Sequence, residues 1–194
     1  MKKRITLLLT LMAVVNLFAQ EPDSSTAGTV ERSIFTIQTG TVGVWVSNEM
    51  RLAGKFALRT EAGLDLWVYE TFSDGDGVVL APSISVEPRW YYNIGKRAAK
   101  GKHTENNSAN FVALAADFYP NLFLLGNPPG YLYVPNQISF IPKWGIRRAI
   151  AKSNFNYELG FGIGYQKVLE DPDYMLTSTE NVAVDIHIRF GYTF

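Results

Sequence analysis

The stretch FALRTEAGLDLWVY, residues 56–69, alternates between two kinds of side chain with a period of two residues. One set is uncharged and mostly apolar: Phe56, Leu58, Thr60, Ala62, Leu64, Leu66 and Val68. The other set mixes charged, small and aromatic residues: Ala57, Arg59, Glu61, Gly63, Asp65, Trp67 and Tyr69. Successive side chains of a β-strand point to opposite faces. The stretch therefore predicts a strand with one apolar face and one polar face.

Further segments repeat this alternation along the chain. Four of them carry no charged residue on the apolar face: residues 80–94, 138–147, 155–166 and 182–194. Each is at least about as long as the ~9–11 residues that a tilted strand needs to cross a bilayer. Two segments, residues 34–47 and 111–119, alternate less regularly. In residues 34–47 the phase slips at Thr39-Gly40-Thr41, which predicts a bulge or a bend.

The start of the chain has the pattern of a secretory signal peptide. The basic residues 2–4 (KKR) precede an apolar run, residues 5–18, and Ala19 supplies a small residue at the cleavage point. A single membrane anchor is the alternative, but the run is shorter than the ~20 residues that a spanning helix needs. The pattern therefore predicts export. The predicted organisation is a signal peptide, a flexible N-terminal lead and a β-barrel domain: residues 1–19, 20–32 and 33–194.

Charge and cysteine content remove several classes of function. The chain has 18 Lys and Arg against 18 Asp and Glu, so net charge gives no indication of nucleic-acid binding. It contains no cysteine, which excludes disulfides, thiolate catalysis and cysteine-ligated metal sites.

The alternation fits two different kinds of protein. In a soluble barrel or sandwich the apolar face forms the core and the polar face meets water. In a transmembrane barrel the apolar face meets lipid and the polar face fills the interior. Glycines on the polar face favour the membrane version, because small residues leave room for larger neighbours in a narrow interior. These glycines are Gly63, Gly145, Gly160, Gly162, Gly164 and Gly191.

Aromatic residues near the ends of the predicted strands favour the same version. Transmembrane barrels carry aromatic girdles where the wall meets the two membrane interfaces. The predicted interfacial residues are Trp90, Tyr92, Trp144, Tyr157, Tyr192 and Phe194.

The last segment and two internal segments resemble known proteins. The ending FGYTF, residues 190–194, resembles the terminal strand by which bacterial outer-membrane barrels are sorted. The chain is similar in pattern to small OmpA/OmpX-type barrels. The segments EPRWYYN, residues 87–93, and PKWGIRR, residues 142–148, are similar to outer-membrane β-barrel proteins of Bacteroidetes. The resemblance implies a Gram-negative outer-membrane location, contact with lipid and recognition of Phe194 by the barrel-assembly machinery, but no activity.

The predicted fold is all-β, a small antiparallel up-and-down transmembrane β-barrel of eight strands. Seven strands are visible in the sequence, whereas bacterial barrels normally have an even number. The segment before Ile34 and residues 122–134 are both candidates for the eighth. Pro128 and Pro129 argue against the second candidate. The basic connector, residues 95–110, has room for one helical turn around residues 96–100.

Charged residues of both signs share the polar faces of these strands. They are Arg59, Glu61, Asp65, Glu87, Arg89, Asp117, Lys143, Arg147, Glu158, Asp185, His187 and Arg189. Mixed signs on neighbouring strands predict a network of ion pairs that fills the barrel interior. A narrow ion or proton path is the alternative interpretation.

One short pattern, Asp185-x-His187-x-Arg189, has catalytic potential, because a histidine beside a carboxylate can act as a general base. Ser83, Ser85 and Ser139 are the available nucleophiles. All these groups are predicted to face inward, whereas lipid substrates arrive from outside. We therefore interpret His187 as an ion-paired interior residue and assign no catalytic, cofactor or metal site.

The sequence thus predicts an outer-membrane barrel with a filled interior, in a structural role or an interaction role through its loops. Two alternatives stay open: a membrane-embedded lipid hydrolase or acyltransferase that uses His187, and a soluble periplasmic lipid-binding barrel.

Overall fold

The computed structural model describes residues 28–71, 75–151, 153–170 and 176–194. The predicted signal peptide and most of the predicted lead lie outside these residues. Their described neighbours, residues 28–32, are packed against the rest of the protein. Val30 is fully buried, and its backbone N–H donates to the carbonyl of Gly54 at 2.9 Å.

The described part of the chain is almost entirely β-structure. Its strands are β1 (Ser33–Gly40), β2 (Gly43–Ala53), β3 (Phe56–Thr71), β4 (Gly75–Trp90), β5 (Asn110–Tyr119), β6 (Leu125–Gly126), β7 (Gln137–Ala149), β8 (Phe155–Val168) and β9 (Thr179–Thr193). A short helix α1 (Ile94–Ala99) and a 3-10 turn (Glu105–Asn107) lie between β4 and β5. The predicted helical turn in this connector is confirmed. Within the described residues, no helix has the length and apolar character that crossing a membrane requires.

The strands form one antiparallel sheet of nine strands, and eight of them close into a ring. Each ring strand pairs with the next one along the chain, and β9 pairs back onto β1. We call this ring the barrel. The two-residue strand β6 lies outside it and pairs with Val79 and Leu80 of β4. The predicted all-β, antiparallel, up-and-down fold with eight strands is confirmed.

The eighth strand comes from a place that the sequence analysis did not identify. Residues 34–47 form a hairpin, in which β1 and β2 are joined by the turn Thr41-Val42. Gly40 pairs with Gly43, so the inward positions change from even to odd numbers across the turn. A bulge would shift the phase in the same way. The structure instead has a two-residue turn between two paired strands, so the prediction of a bulge or a bend within one strand was wrong. In the described part of the chain the first ring strand begins at Ser33, and residues 122–134 contain only the short strand β6, which lies outside the ring.

The end of β4 also differs from the prediction. The strand runs from Gly75 to Trp90 rather than over residues 80–94, and the chain then turns across the barrel mouth. Tyr91 and Ile94 are both fully buried there.

The two ends of the barrel differ in their connections. At the near end β1 begins and β9 ends, and the connectors 54–55, 91–109 and 150–154 lie there. The far end carries the tight turn 41–42 and the long connector 120–136. Both ends of the ring's chain therefore lie on the same side.

Charged residues lie inside the barrel and apolar residues lie on its outer wall, the reverse of the arrangement in a soluble domain. The largest fully buried side chains are arginines: Arg59, Arg89 and Arg147. Large apolar side chains are exposed on the outer wall, among them Val182 at 73% and Ile186 at 69%.

Glycines on the inner wall make room for large side chains, as the sequence predicts. A Cβ atom at Gly63 would overlap the ring of Trp45. A Cβ atom at Gly145 would overlap the ring of Phe111, and one at Gly160 would overlap the ring of His187.

Candidate functional site

All twelve residues of the predicted interior network lie on the inner wall. Nine of them are buried, and Asp65, Asp185 and Arg189 are half-buried. The alternation of each strand places them there, because the opposite residues of the same strands form the apolar outer wall.

Glu158 on β8 is the centre of the near half of this network. Its carboxylate accepts hydrogen bonds from Arg59 Nη1 at 3.2 Å and from Arg89 at 2.8 and 2.9 Å. Arg59 also pairs with Glu61, and Arg89 Nε lies 3.2 Å from Glu87 Oε1. Arg59 thus has two carboxylate partners, and Arg89 has three, since its Nη1 also lies 3.7 Å from Glu49 Oε2. These partners offset the cost of burying each charge.

A second carboxylate, Glu49 on β2, connects this network to the near-end connector. The hydroxyl of Tyr91 donates to Glu49 Oε2 at 3.1 Å, and the amide of Asn107 donates to Oε1. Arg147 Nη1 approaches Oε2 to 3.4 Å. Burial raises the pKa of the Tyr91 phenol, so this group stays protonated and keeps its role as a donor.

The connector, residues 91–109, closes the near end together with Val30. We call this unit the plug. Tyr91, Asn107 and Ala109 are fully buried in it. The ring of Tyr91 packs against Phe111 with centroids 5.6 Å apart, and the guanidinium of Arg89 lies 4.1 Å above the Phe111 ring. We refer to the network around Glu158 and Glu49, with the plug, as the sealed half.

The far half of the barrel contains a cavity of about 400 Å³. Its size is in the range of small-molecule sites, roughly 300–1,000 Å³. Charged residues that line it include Glu61, Asp65, Asp117, Lys143, Asp185, His187 and Arg189. We refer to the cavity and the residues lining it as the open half.

Two carboxylates of the open half, Asp65 and Asp117, take no part in its ion pairs among the described residues. Lys143 Nζ lies 2.9 Å from Asp185 Oδ2, and Arg189 Nη1 lies 2.9 Å from Glu61 Oε1. Asp65 accepts a hydrogen bond from Trp45 Nε1 at 2.6 Å, and Asp117 accepts one from Ser139 Oγ at 3.1 Å.

The barrel wall is incomplete beside this cavity. The hairpin of β1 and β2 is short: β1 pairs with β9 only at residues 189–193, and β2 pairs with β3 only as far as Asp65. Beyond these pairs, no strand of the described chain lies between residues 66–71 of β3 and 179–188 of β9. We call this opening the lateral gap.

The cavity reaches the lateral gap. Apolar residues from both of its flanks contribute to the cavity lining: Val42, Leu66, Val68, Val184 and Ile186. No strand of the described chain therefore covers the open half on this side of the barrel.

The predicted interfacial aromatics gather around the near end. The ring centroids of Trp90 and Tyr92 are 6.0 Å apart, and those of Tyr192 and Phe194 are 5.0 Å apart. Trp144 Nε1 donates a hydrogen bond to the hydroxyl of Tyr92 at 2.9 Å. Tyr157 lies on the same level, paired in register with Phe190. The six residues thus lie at one end of the barrel.

Several functional residues were not predicted from the sequence. Glu49, Gln38 and Trp45 lie on the hairpin strands, whose alternation was hidden by the unrecognised turn. Residues 45–49 alternate between Trp45, Ser47 and Glu49 inside and Val46 and Asn48 outside, so recognition of the turn would have revealed them. Asn107 belongs to the plug, where no periodic pattern exists. Tyr91 falls on the polar face of the predicted segment 80–94, but the strand ends at Trp90 and Tyr91 becomes part of the plug.

The geometry around His187 bears on the catalytic alternative. Nδ1 lies 2.5 Å from Asp185 Oδ1, whereas Nε2 has no hydrogen-bond partner and lies 3.6 Å from Glu158 Oε1. A nucleophile activated by His187 needs a hydrogen bond to the free ring nitrogen. The described part of the chain shows no serine bonded there, and no group of His, Asp and Glu residues in it is placed to hold a metal ion.

Comparison with known proteins gives no relative: no protein-family model matches the chain, and neither a curated protein nor a solved structure matches it significantly. The functional interpretation therefore depends on the fold and the geometry of the interior.

Proposed function

We propose that the protein is an outer-membrane β-barrel that does not conduct ions or solutes and that acts through binding at its far end. The observation that carries this proposal is the inverted polarity. Arg59, Arg89 and Arg147 are each 1% exposed, while large apolar residues cover the outer wall. A soluble protein rarely exposes more than a few hundred Å² of continuous apolar surface, whereas lipid favours such a wall.

The dimensions of the outer wall support a membrane location. Outward residues of β9 are apolar from Val182 to Phe194. Twelve residue steps at ~3.3 Å cover about 40 Å of strand, or about 30 Å of barrel height at a tilt of ~40°. This height is close to the ~25–30 Å of hydrocarbon that a barrel must cover.

The ion pairs and the plug of the sealed half support the proposal that the barrel does not conduct ions. Its charges are paired within hydrogen-bonding distance, and the plug closes the mouth below them. Opening a continuous water path requires that several buried ion pairs separate at once, which costs several kcal/mol for each pair broken. We therefore expect the barrel to be closed.

Cell fractionation tests the membrane location. We expect the protein in the outer-membrane fraction, resistant to extraction by carbonate or urea and released by detergent. Recovery in the soluble periplasm without detergent would reject the proposal and favour the soluble lipid-binding alternative.

Planar-bilayer recording tests the closed interior independently. Refolded wild-type protein is expected to produce no steady open channel. Large, sustained conductance steps from the pure protein would show a water path through the sealed half.

Assembly is proposed to depend on the terminal residue. Phe194 is 70% exposed on the outer wall, and its N–H donates to the carbonyl of Phe35 at 2.9 Å. Its side chain is therefore free for recognition by the barrel-assembly machinery. Phe194→Ser is expected to lower the amount of protein in the outer membrane without weakening the protein refolded in detergent. Phe155→Ser, at an exposed aromatic position beside Tyr192, is expected to keep normal assembly.

A further inference from the structure

Charge in the open half is unbalanced. Among the charged residues that line the cavity, four carboxylates face two permanent cations and one histidine. Asp65 and Asp117 make no salt bridge in the described part of the chain, and Asp117 is only 8% exposed. Asp65 accepts hydrogen bonds from Trp45 and Ser83, and Asp117 accepts them from Ser139 and Ser85. Because a carboxylate offers about four acceptor sites, each of them keeps acceptor capacity beyond these two partners. The cavity is therefore suited to a ligand that carries positive charge and donates hydrogen bonds.

An aromatic pair lies one inward position further toward the far end than these two carboxylates. Trp67 follows Asp65 by two residues on β3, and Tyr119 follows Asp117 by two residues on β5, so all four side chains point inward. The rings of Trp67 and Tyr119 pack edge to face with centroids 6.0 Å apart, and both line the cavity. Aromatic faces beside carboxylates are a known environment for ammonium groups, which gain attraction to the ring as well as to the charge.

The lateral gap adds an apolar route to this polar site. Where β1 and β2 still separate them, β3 and β9 are about 14 Å apart at a strand spacing of ~4.8 Å. Above the turn 41–42 these two strand positions are not filled by the described chain. The flanks of the gap carry outward apolar residues such as Val68 and Val184. A hydrocarbon chain that leaves the cavity here would lie against apolar side chains.

From these observations we propose that the open half binds a cationic amphiphile. Its ammonium group lies between Asp65 and Asp117 under the Trp67–Tyr119 pair, and its hydrocarbon chain passes through the lateral gap to the outer wall. The path of the hydrocarbon chain rests on the proposed membrane location, because the chain would then lie in lipid. The ammonium site depends only on residues of the barrel interior.

A binding titration with matched probes tests the proposal. The mature protein, refolded in a non-ionic detergent, is titrated with dodecylamine, dodecyl sulfate and butylamine, and bound molecules are counted by native mass spectrometry. We expect one dodecylamine to bind. Asp65→Asn combined with Asp117→Asn should weaken it at least tenfold, because both substitutions remove charge at nearly constant shape. Asp76→Asn, at an exposed position of β4, is the control and should stay within twofold of wild type.

Other results of this titration overturn the proposal. Unchanged affinity in the double variant rejects the ammonium site, provided that circular dichroism shows an intact sheet. Equal or tighter binding of dodecyl sulfate rejects a cationic ligand. Butylamine that binds as tightly as dodecylamine rejects the role of the hydrocarbon chain.

The lateral gap is tested by filling it. Val184→Trp places a large ring on its β9 flank and should weaken dodecylamine binding several-fold. Val112→Trp adds the same ring to the outer wall of β5, away from the gap, and should have no effect. Equal affinities for both variants would show that the chain leaves by another route.

Analysis of the protein purified from its membrane distinguishes the source of the ligand. An amine-bearing lipid that copurifies with wild type and not with the double variant identifies the membrane as the source. Intact dodecylamine binding without a copurifying lipid identifies a free amphiphile. If the protein fractionates as soluble while aspartate-dependent binding persists, the membrane proposal fails and the ammonium site stands.

Discussion

The sealed half and the open half are built from the same kind of inward-facing charged residue, yet one is closed and the other holds a cavity. In the sealed half each buried arginine has carboxylate partners, and the plug covers the mouth. In the open half Asp65 and Asp117 form no salt bridge within 4 Å among the described residues, and a cavity of about 400 Å³ separates the walls. Charge composition alone therefore does not determine whether a barrel interior is filled.

The difference follows from the lengths of the strands and connectors. At the level of the sealed half all eight ring strands are present, and the near-end connector of residues 91–109 is long enough to fold back over the opening. At the level of the open half the hairpin of β1 and β2 has ended. The wall there loses two strands and its side becomes accessible.

The comparison predicts its largest effect at Glu158. Glu158→Gln leaves Arg59 and Arg89 without their shared carboxylate inside the sealed half, and we expect a loss of about 3–5 kcal/mol in the free energy of unfolding. Urea titration of the refolded protein in detergent measures this loss. Glu70→Gln, at an exposed position, is the matched control. A loss below about 1 kcal/mol would show that the network contributes little to stability.

A smaller effect is expected from filling the space kept by a glycine. Gly145→Ala places a Cβ atom against the ring of Phe111, which is fully buried under Arg89. Overpacking of this kind costs about 1–3 kcal/mol, measured by the same titration. Gly130→Ala meets no atom within 4 Å and should leave stability unchanged. Equal stability of both variants would mean that the sealed half tolerates rearrangement.

The attachment of the plug is predicted to contribute less. Asn107→Ala removes a donor to Glu49 and the acceptor for the backbone N–H of Glu31. The expected loss is about 1–2 kcal/mol, since two buried partners lose a hydrogen bond. Hydrogen exchange provides the sharper measurement, because faster exchange should appear in residues 91–109 before the strands. If exchange accelerates uniformly instead, the plug is not a separate unit.

The smallest change in the free energy of unfolding is expected from a substitution in the open half. Asp65→Asn removes a carboxylate that has no cationic partner in the described structure, and the new amide oxygen still accepts from Trp45. We expect a change below about 0.5 kcal/mol in either direction. A loss comparable to that of Glu158→Gln would remove the distinction between the two halves.

Much of this architecture could be predicted from sequence, because strand alternation is a local property. The alternating runs fix which residues share a face, and all twelve residues of the predicted network were placed on the inner wall in this way. The hairpin at Thr41-Val42 was not, since a two-residue turn and a bulge produce the same change of phase. Glu49 was missed for that reason.

The open half could not be predicted for a different reason. The lateral gap depends on the register of β1 against β9, which ends at the pair Gly40–Arg189. The plug depends on where Tyr91 and Asn107 come to rest after the strands have closed. Both are properties of the assembled barrel, and neither leaves a periodic pattern in the chain.

The central claim is that apolar residues face lipid and charged residues face the interior, and single cysteines test it most directly because the chain has no cysteine of its own. Ser85→Cys, Ala113→Cys and Val86→Cys are reconstituted in liposomes and treated with a charged, water-soluble maleimide or an apolar, lipid-soluble one. We predict that Ser85→Cys in the open half reacts with the charged reagent, Val86→Cys on the outer wall reacts only with the apolar reagent, and Ala113→Cys in the sealed half reacts with neither. Rapid reaction of Val86→Cys with the charged reagent, at the rate of a cysteine placed in a loop at Gly130, would show that the outer wall lies in water and would contradict the account.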